Sequence, residues 1–330
     1  MKVLAYSSKS FIKPYLEKAN KGRLKIHYIN ERLNYETALK AAGYSAITIF
    51  SADDASGLVI EKLADLGVKF IAARSTGYDN INLRTASKVG VKVTNVPNYS
   101  PDAIAEHAIT LMLVLNRKLI NSYQRSVNLN FDLSGLVGNN LFGKTVGVIG
   151  TGNIGSRVLK ILHGFGCKIL ANDISPHYRF SSMYDVEYVD LNTLYSQSDI
   201  ITIHTPLNRE THHMINATSI SKMKRGVIII NTARGAILKS QDILQEIIHG
   251  QIKGLGIDVF EGEDEIFFND HSATGIANKT LKEFIAHPNI LVTGHQAFLT
   301  DEALQEIANT TIENLIAWFE NEQCKNEVTY

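Results

Sequence analysis

The chain has 330 residues, 45% of them hydrophobic and 20% charged, a length beyond what one core usually organises, so two domains are expected. Its 33 lysines and arginines balance 33 aspartates and glutamates, which removes the electrostatic reason to expect nucleic acid or an anionic membrane surface as partner. No apolar stretch nears the roughly 20 residues that cross a bilayer, and the two distant cysteines, Cys167 and Cys324, make neither a disulfide framework nor a metal knuckle, which fits a reducing cytoplasm.

Met1-Lys2-Val3-Leu4-Ala5-Tyr6 reads as a first strand, not as a leader. Further strands are expected over 25–29, 46–50, 69–72 and 91–95. A helix is expected over 56–66, where Val59, Ile60, Leu63 and Leu66 follow helical spacing. Near residue 100 the texture changes. Ser100 suits an N-cap, Pro101 the first helical position and Asp102 the positive end of the helix dipole. The helix they start is expected to run through 103–116 and on to about 125. A second alternating series begins at Lys144, with strands expected over 145–149, 168–172, 200–204, 227–231, 254–258 and 289–292. A final helix opens at Thr300-Asp301-Glu302 and carries Leu304, Ile307, Ile312, Leu315, Ile316 and Trp318, an apolar face that must dock. Strands alternating with helices imply parallel sheets, so the economical reading is two α/β domains.

Val146-Gly147-Val148-Ile149-Gly150-Thr151-Gly152-Asn153-Ile154-Gly155 is a buried strand running into Gly-x-Gly-x-x-Gly and a helix. In that pattern Gly150 permits the tight turn, Gly152 lets the backbone approach a diphosphate, and Gly155 lets the helix pack on the strand. The helix start supplies N–H groups to the anion. Asp173, at the end of the following strand, suits the ribose hydroxyls of an adenosine and repels a 2′-phosphate, which points to NAD over NADP. Arg179 is the nearby residue that would suit NADP.

Three later segments each set a reactive side chain just after a strand: Asn231-Thr232-Ala233-Arg234-Gly235, Asp258-Val259-Phe260-Glu261-Gly262-Glu263 and Gly294-His295-Gln296-Ala297-Phe298. Ligands gather at the carboxyl ends of strands in doubly wound sheets. Reduction of a 2-oxo acid needs a hydride donor, a cation for the carboxylate and carbonyl, and an acid for the new alkoxide. Arg234 is the candidate cation, a permanently charged fork. His295 is the candidate acid, and Glu263 its neighbour, of the kind that stabilises an imidazolium. In Arg74-Ser75-Thr76-Gly77-Tyr78, backbone N–H groups could receive a carboxylate. Taken singly, each of these residues has an ordinary structural explanation; it is their order along the chain that exceeds chance. The His212-His213 pair reads as a solvated turn. No set of His, Cys and carboxylates has ligand spacing along the chain, so no metal is expected.

With these residues in hand, the chain resembles the D-isomer-specific 2-hydroxyacid dehydrogenases over nearly its whole length. Tyr99-Ser100-Pro101, Ala105-Glu106-His107-Ala108, Ile266-Phe267-Phe268 and Gln296-Ala297-Phe298-Leu299-Thr300 are most similar to the fermentative D-lactate-forming members. The resemblance implies two doubly wound parallel-sheet domains. One is a flavodoxin-like substrate domain, 1–99 plus 299–330, and the other a Rossmann NAD-binding domain, 100–298. It implies NADH-dependent reduction of pyruvate to D-lactate, with Arg234, Glu263 and His295 catalytic. Thr76 and Gly77 would bind the substrate carboxylate, and Phe50 and Tyr99 would line the pocket. Asn153, Ile154, Asp173, Thr205, Pro206, Thr211, Thr232, Ala233 and Asp258, with Gly150, Gly152 and Gly155, would contact NAD. Asn208 competes with Thr211 for that role, and Ala233 stands where a serine is common. A homodimer or homotetramer is implied. The alternatives are a dehydrogenase of a bulkier acid, similar to hydroxyisocaproate, and a non-catalytic NAD-sensing protein.

Overall fold

The computed structural model describes residues 2–330, which divide into two compact units, Met1–Ser100 with Leu299–Tyr330, and Pro101–Phe298. In the first, strands β1 (Lys2–Ala5), β2 (Lys25–Tyr28), β3 (Ala46–Ile49), β4 (Phe70–Ala73) and β5 (Lys92–Thr94) form one sheet in the order β2-β1-β3-β4-β5. In the second, β6 (Thr145–Ile149), β7 (Lys168–Asn172), β8 (Val186–Tyr188), β9 (Ile200–Ile203), β10 (Val227–Asn231), β11 (Ile252–Ile257) and β12 (Ile290–Val292) are ordered β12-β11-β10-β9-β6-β7-β8. Every pairing is parallel. The first order is that of flavodoxin-like sheets. The second reverses direction between β6 and β9, the switch point of a dinucleotide-binding sheet.

Burial on both faces explains the apolar strands. In β10, Ile228 and Ile230 join one core with Val146, Val148 and residues of the helix Pro101–Asn116, while Val227 and Ile229 join another with Ile201 and Ile203. Alternate side chains thus fill opposite faces, and neither face tolerates polar residues. The first unit has its own core, around Tyr6, Ile47, Ile49, Ile60 and Ile71.

The long helix expected to run to about 125 is two helices, Pro101–Asn116 and Leu119–Val127, because Lys118 takes a left-handed conformation (φ 50°). The returning chain explains the break. Asn116 Nδ2 donates to the Asn139 carbonyl at 2.7 Å, and a Cβ on Gly138 would lie 2.3 Å from the Asn116 carbonyl oxygen. That strand of chain crosses the end of the first helix. The short strand β8 carries no apolar run long enough to announce it in the sequence.

The last helix, Asp301–Phe319, is capped by the Thr300 hydroxyl, which accepts from the Ala303 N–H. Its buried face packs on the helix Lys13–Asn20 and on β4, with Trp318 stacked on Phe70. Among the described residues, no helix is long and apolar enough to cross a membrane.

Candidate active site

The glycine turn follows from steric necessity. Gly150 has φ +89°, and a Cβ there would fall 2.5 Å from the His204 carbonyl oxygen; a Cβ on Gly155 would fall 2.0 Å from the Gly150 carbonyl oxygen. Gly152, by contrast, faces open space and caps the helix Asn153–Gly164 without any side-chain cap. Bare backbone at a helix N-terminus, with room before it, fits the diphosphate of a dinucleotide. Ile154 lies in the first turn of that helix, partly buried. Asp173 follows β7, and its Oδ2 accepts from the Thr151 N–H (2.6 Å) and hydroxyl (2.9 Å). Burial works to raise the Asp173 pKa, but hydrogen bonds from the Ser175 N–H, the Thr151 N–H and the Thr151 hydroxyl outweigh it and hold the carboxyl below its usual range. An anion therefore stands beside the turn.

Thr205 and Pro206 begin the loop after β9, and the Thr205 nitrogen lies 3.1 Å from where a Gly150 Cβ would stand. Thr211 folds that loop on itself: its hydroxyl donates to the Pro206 carbonyl at 2.7 Å, and its N–H donates to Asn208 Oδ1 at 2.9 Å. Asn208 thus organises the loop that carries Thr211. After β10, Thr232 is buried with no partner for its hydroxyl, and the Ala233 N–H is held by Asn231 Oδ1 at 3.0 Å.

Arg234, Glu263 and His295 follow β10, β11 and β12, three adjacent strands. His295 Nδ1 hydrogen-bonds Glu263 Oε1, and the other carboxylate oxygen accepts from the Phe260 N–H at 2.5 Å. The imidazole is 24% exposed and the carboxylate side chain 14%, so the pair is sheltered while one edge of the ring stays reachable. His295 itself is left-handed (φ 53°), a conformation a non-glycine residue holds only when its surroundings over-determine it. Asp258 supplies that constraint. Its carbonyl accepts from the His295 N–H at 2.8 Å, and its carboxylate accepts from the Gln296 N–H (2.9 Å), the Ala297 N–H (2.8 Å) and the Thr293 hydroxyl (2.5 Å).

Burial works to raise the Asp258 pKa, but the hydrogen bonds from His107, Thr293, Ala297 and Gln296 hold it below the usual range. His107 is also 3.0 Å from Thr293 Oγ1. These two residues carry no signal of this role in the sequence, because they meet Asp258 from distant segments. Gly235 joins the Arg234 turn to the Glu263 turn, since a Cβ there would fall 2.1 Å from the Phe260 carbonyl carbon. The Arg234 Nη1 donates to the Ala233 carbonyl at 2.8 Å.

In the first unit, Phe50, Thr76-Gly77 and Tyr99 likewise follow strand ends, those of β3, β4 and β5. Phe50 is buried, with its N–H on Asp53 Oδ2 at 2.6 Å and its ring edge-on to Phe11. The Thr76 carbonyl accepts from Asn95 Nδ2 at 2.8 Å, and the Ser75 hydroxyl donates to the Gly77 carbonyl at 2.7 Å. Tyr99 is partly buried. Beneath these loops Arg74 is fully buried, and its guanidinium donates to the Tyr6 carbonyl at 2.6 Å and the Thr48 hydroxyl at 3.1 Å. Burial pushes the Arg74 pKa down to about 10 and the Asp53 carboxylate pulls it back up, so the guanidinium stays charged at neutral pH.

The His212-His213 pair, read from the sequence as a solvated turn, has a distant carboxylate beside it. Folding sets Glu261 against the His212-His213 pair, from 48 residues beyond His213.

A two-unit α/β chain with this turn and this Arg, Glu and His set defines an NAD-dependent oxidoreductase class, and the comparisons agree. The family model described as "D-isomer specific 2-hydroxyacid dehydrogenase, NAD binding domain" matches residues 109–297, and the chain belongs to that family. NAD is its cofactor. D-lactate dehydrogenase of Escherichia coli is 44% identical over 99% of this chain and 100% of its own; its structure superposes with a TM-score of 0.87 over all of both chains. The pyruvate reductase of Chlamydomonas reinhardtii is 39% identical with a TM-score of 0.92, over 99% of this chain and 98% of that one. D-lactate dehydrogenase of Aquifex aeolicus, solved with NAD and lactic acid, is 33% identical with a TM-score of 0.87, over 97% of this chain and 96% of that one.

Proposed function

We propose that this protein reduces pyruvate to D-lactate with NADH, reversibly. The observation that carries the reading is the sheltered His295–Glu263 pair, set after neighbouring strands of the same sheet as the glycine turn and Arg234. The full-length identity to proteins named D-lactate dehydrogenase supports the choice of substrate.

NADH, when bound, supplies the hydride. The protein's own groups then have separable tasks. Arg234 holds the carboxylate and polarises the carbonyl of the oxo acid, and the Thr76 and Gly77 N–H groups add to the carboxylate binding. Phe50 and Tyr99 bound the space for the methyl group. Glu263 accepts the hydrogen bond from Nδ1, so that nitrogen keeps its proton and Nε2 is the one that delivers a proton to the new alkoxide. In the reverse direction Nε2 takes the hydroxyl proton. Gly150, Gly152, Asn153, Ile154 and Gly155 hold the diphosphate, and Asp173 the adenosine ribose. Thr205, Pro206, Thr211, Thr232, Ala233 and Asp258 complete the NAD site, Asp258 through its backbone because its carboxylate is engaged within the protein.

Neither a bulkier acid nor a non-catalytic NAD sensor is favoured by the named relatives. The reading also includes a homodimer or homotetramer in the cytoplasm. The basis for association is the segment after the helix Leu119–Val127, where Leu129, Phe131, Leu133, Val137 and Phe142 are each more than 70% exposed. Apolar side chains exposed together along one segment are what an association site would cover.

The deciding experiment follows NADH oxidation with pyruvate, 4-methyl-2-oxopentanoate and phenylpyruvate, with chiral analysis of the product. Pyruvate is expected to have the highest kcat/KM and to give the D isomer. L-lactate, or a preference for either larger acid, would overturn the assignment.

A further inference from the structure

His212 and His213 stand in the segment between β9 and β10, and Glu261 in the turn after β11. His213 Nε2 lies 2.9 Å from Glu261 Oε2, and His212 Nε2 lies 3.9 Å from Oε1. The two imidazoles lie side by side, with centroids 3.9 Å apart and planes 31° from parallel. Neighbouring side chains on an extended chain point to opposite sides. Here the left-handed backbone of His213 (φ 50°) bends the chain so that both rings face one carboxylate. One ligand atom from each of the three residues falls within 4.8 Å of the others.

The backbones that carry these groups are held before any ion arrives. The His213 N–H donates to the Ala236 carbonyl at 2.8 Å, and its carbonyl accepts from Asn216 Nδ2 at 2.8 Å. The Glu261 nitrogen is pressed so closely on Gly235 that a Cβ there would fall 2.2 Å from it. Both ligand-bearing segments therefore rest on the single turn Gly235-Ala236. Only side-chain rotations are needed to converge on one point.

We propose that His212, His213 and Glu261 form a binding site for a transition-metal dication of the zinc type, with solvent completing the coordination. The donor set decides the class of ion. Two neutral imidazole nitrogens and one carboxylate oxygen are ligands that Zn2+ takes at about 2.0–2.2 Å, whereas Mg2+ and Ca2+ prefer all-oxygen sets. Two neutral rings and one carboxylate carry a single negative charge toward the dication. The partial exposure of all three side chains leaves positions for water, which describes an open three-ligand site. An ion there ties the loop of Thr205, Pro206 and Thr211 to the turn that carries Glu263. The site does not depend on the reaction proposed above, because its test reads metal alone.

The test titrates the metal-free full-length protein with Zn2+ against a chromophoric chelator, with circular dichroism as the check on folding. One equivalent per chain is expected to bind, and a large excess of Mg2+ is expected to leave it in place. His212→Ala and Glu261→Gln should each weaken binding by at least about tenfold, since losing a ligand costs no less than losing a partner that orients one. His249→Ala, an exposed histidine outside the cluster, should bind as the native protein does. Absence of a stoichiometric site, displacement by Mg2+, or native affinity in both cluster variants would each overturn the proposal.

Discussion

At the scale of single residues, the Nδ1–Glu263 bond orients the His295 ring and leaves Nε2 for the proton transfer proposed above. Replacing His295 with Ala removes the proposed proton donor while leaving the glycine turn intact. Steady-state turnover with pyruvate should fall by about 10² to 10⁴; an unchanged kcat would take His295 out of the reaction. Arg234→Lys keeps the charge and loses the planar fork. A loss of kcat/KM of at least about tenfold is expected from the same assay, with NADH affinity by fluorescence unchanged. Gly235 and Gly155 are legible in the sequence as glycines, yet only the packing shows why Gly235 matters: the Phe260 backbone occupies the place of its side chain.

At the scale of elements, every proposed functional group follows a strand, and the strands hold the geometry. Asp258 ties the end of β11 to the turn after β12 through two backbone N–H groups, Thr293 and His107. Its pKa is depressed in the folded protein, so its contribution to stability is present above the unfolded value of about 3.9 and is lost as pH falls through the lower folded value. Asp258→Asn should cost about 2–4 kcal/mol in denaturant unfolding at pH 7; native stability in that variant would contradict the bracing role.

His204, after β9, acts in the same direction with pH but over a higher range. It is partly buried, with its Nε2 2.8 Å from the Thr202 hydroxyl, and desolvation of the ring pushes its pKa down to about 3. The unfolded chain binds a proton there below about 6.5 and the folded chain does not, so stability should fall as pH drops from 6.5 toward 3, at up to ~1.4 kcal/mol per pH unit. Chemical denaturation at pH 7.5, 6 and 5 should show a shallower decline in His204→Gln than in the native protein. Parallel declines would exclude His204 as the source.

At the scale of the whole molecule, the two sheets were legible because both of their faces are covered. Strands such as β10 are then apolar along nearly their whole length, as in Val227-Ile228-Ile229-Ile230, and they stand out from the helices between them. The break at Lys118 and the strand Val186–Tyr188 were not legible, since one depends on a distant segment crossing the helix end and the other on pairing with β7. The exposed segment with Leu129, Phe131 and Leu133 makes a prediction at this scale. Phe131→Glu with Leu133→Glu should shift sedimentation velocity toward the monomer without altering the folded circular dichroism spectrum. An unchanged sedimentation coefficient would place association elsewhere.

What the amino-acid order determined by itself was everything local or periodic: the Gly150-x-Gly152-x-x-Gly155 turn, the acid at the end of β7, the helix start at Pro101 and the cap at Thr300, and the succession of Arg234, Glu263 and His295 behind apolar strands. These depend on neighbours a few residues apart, where backbone sterics and side-chain period leave little choice. Tertiary structure alone decided which groups meet: that Glu263 reaches His295, that His107 and Thr293 secure Asp258, and that Glu261 closes on two histidines. Such meetings are set by strand order and the packing of turns over tens of residues, and nothing in one segment encodes its distant partner.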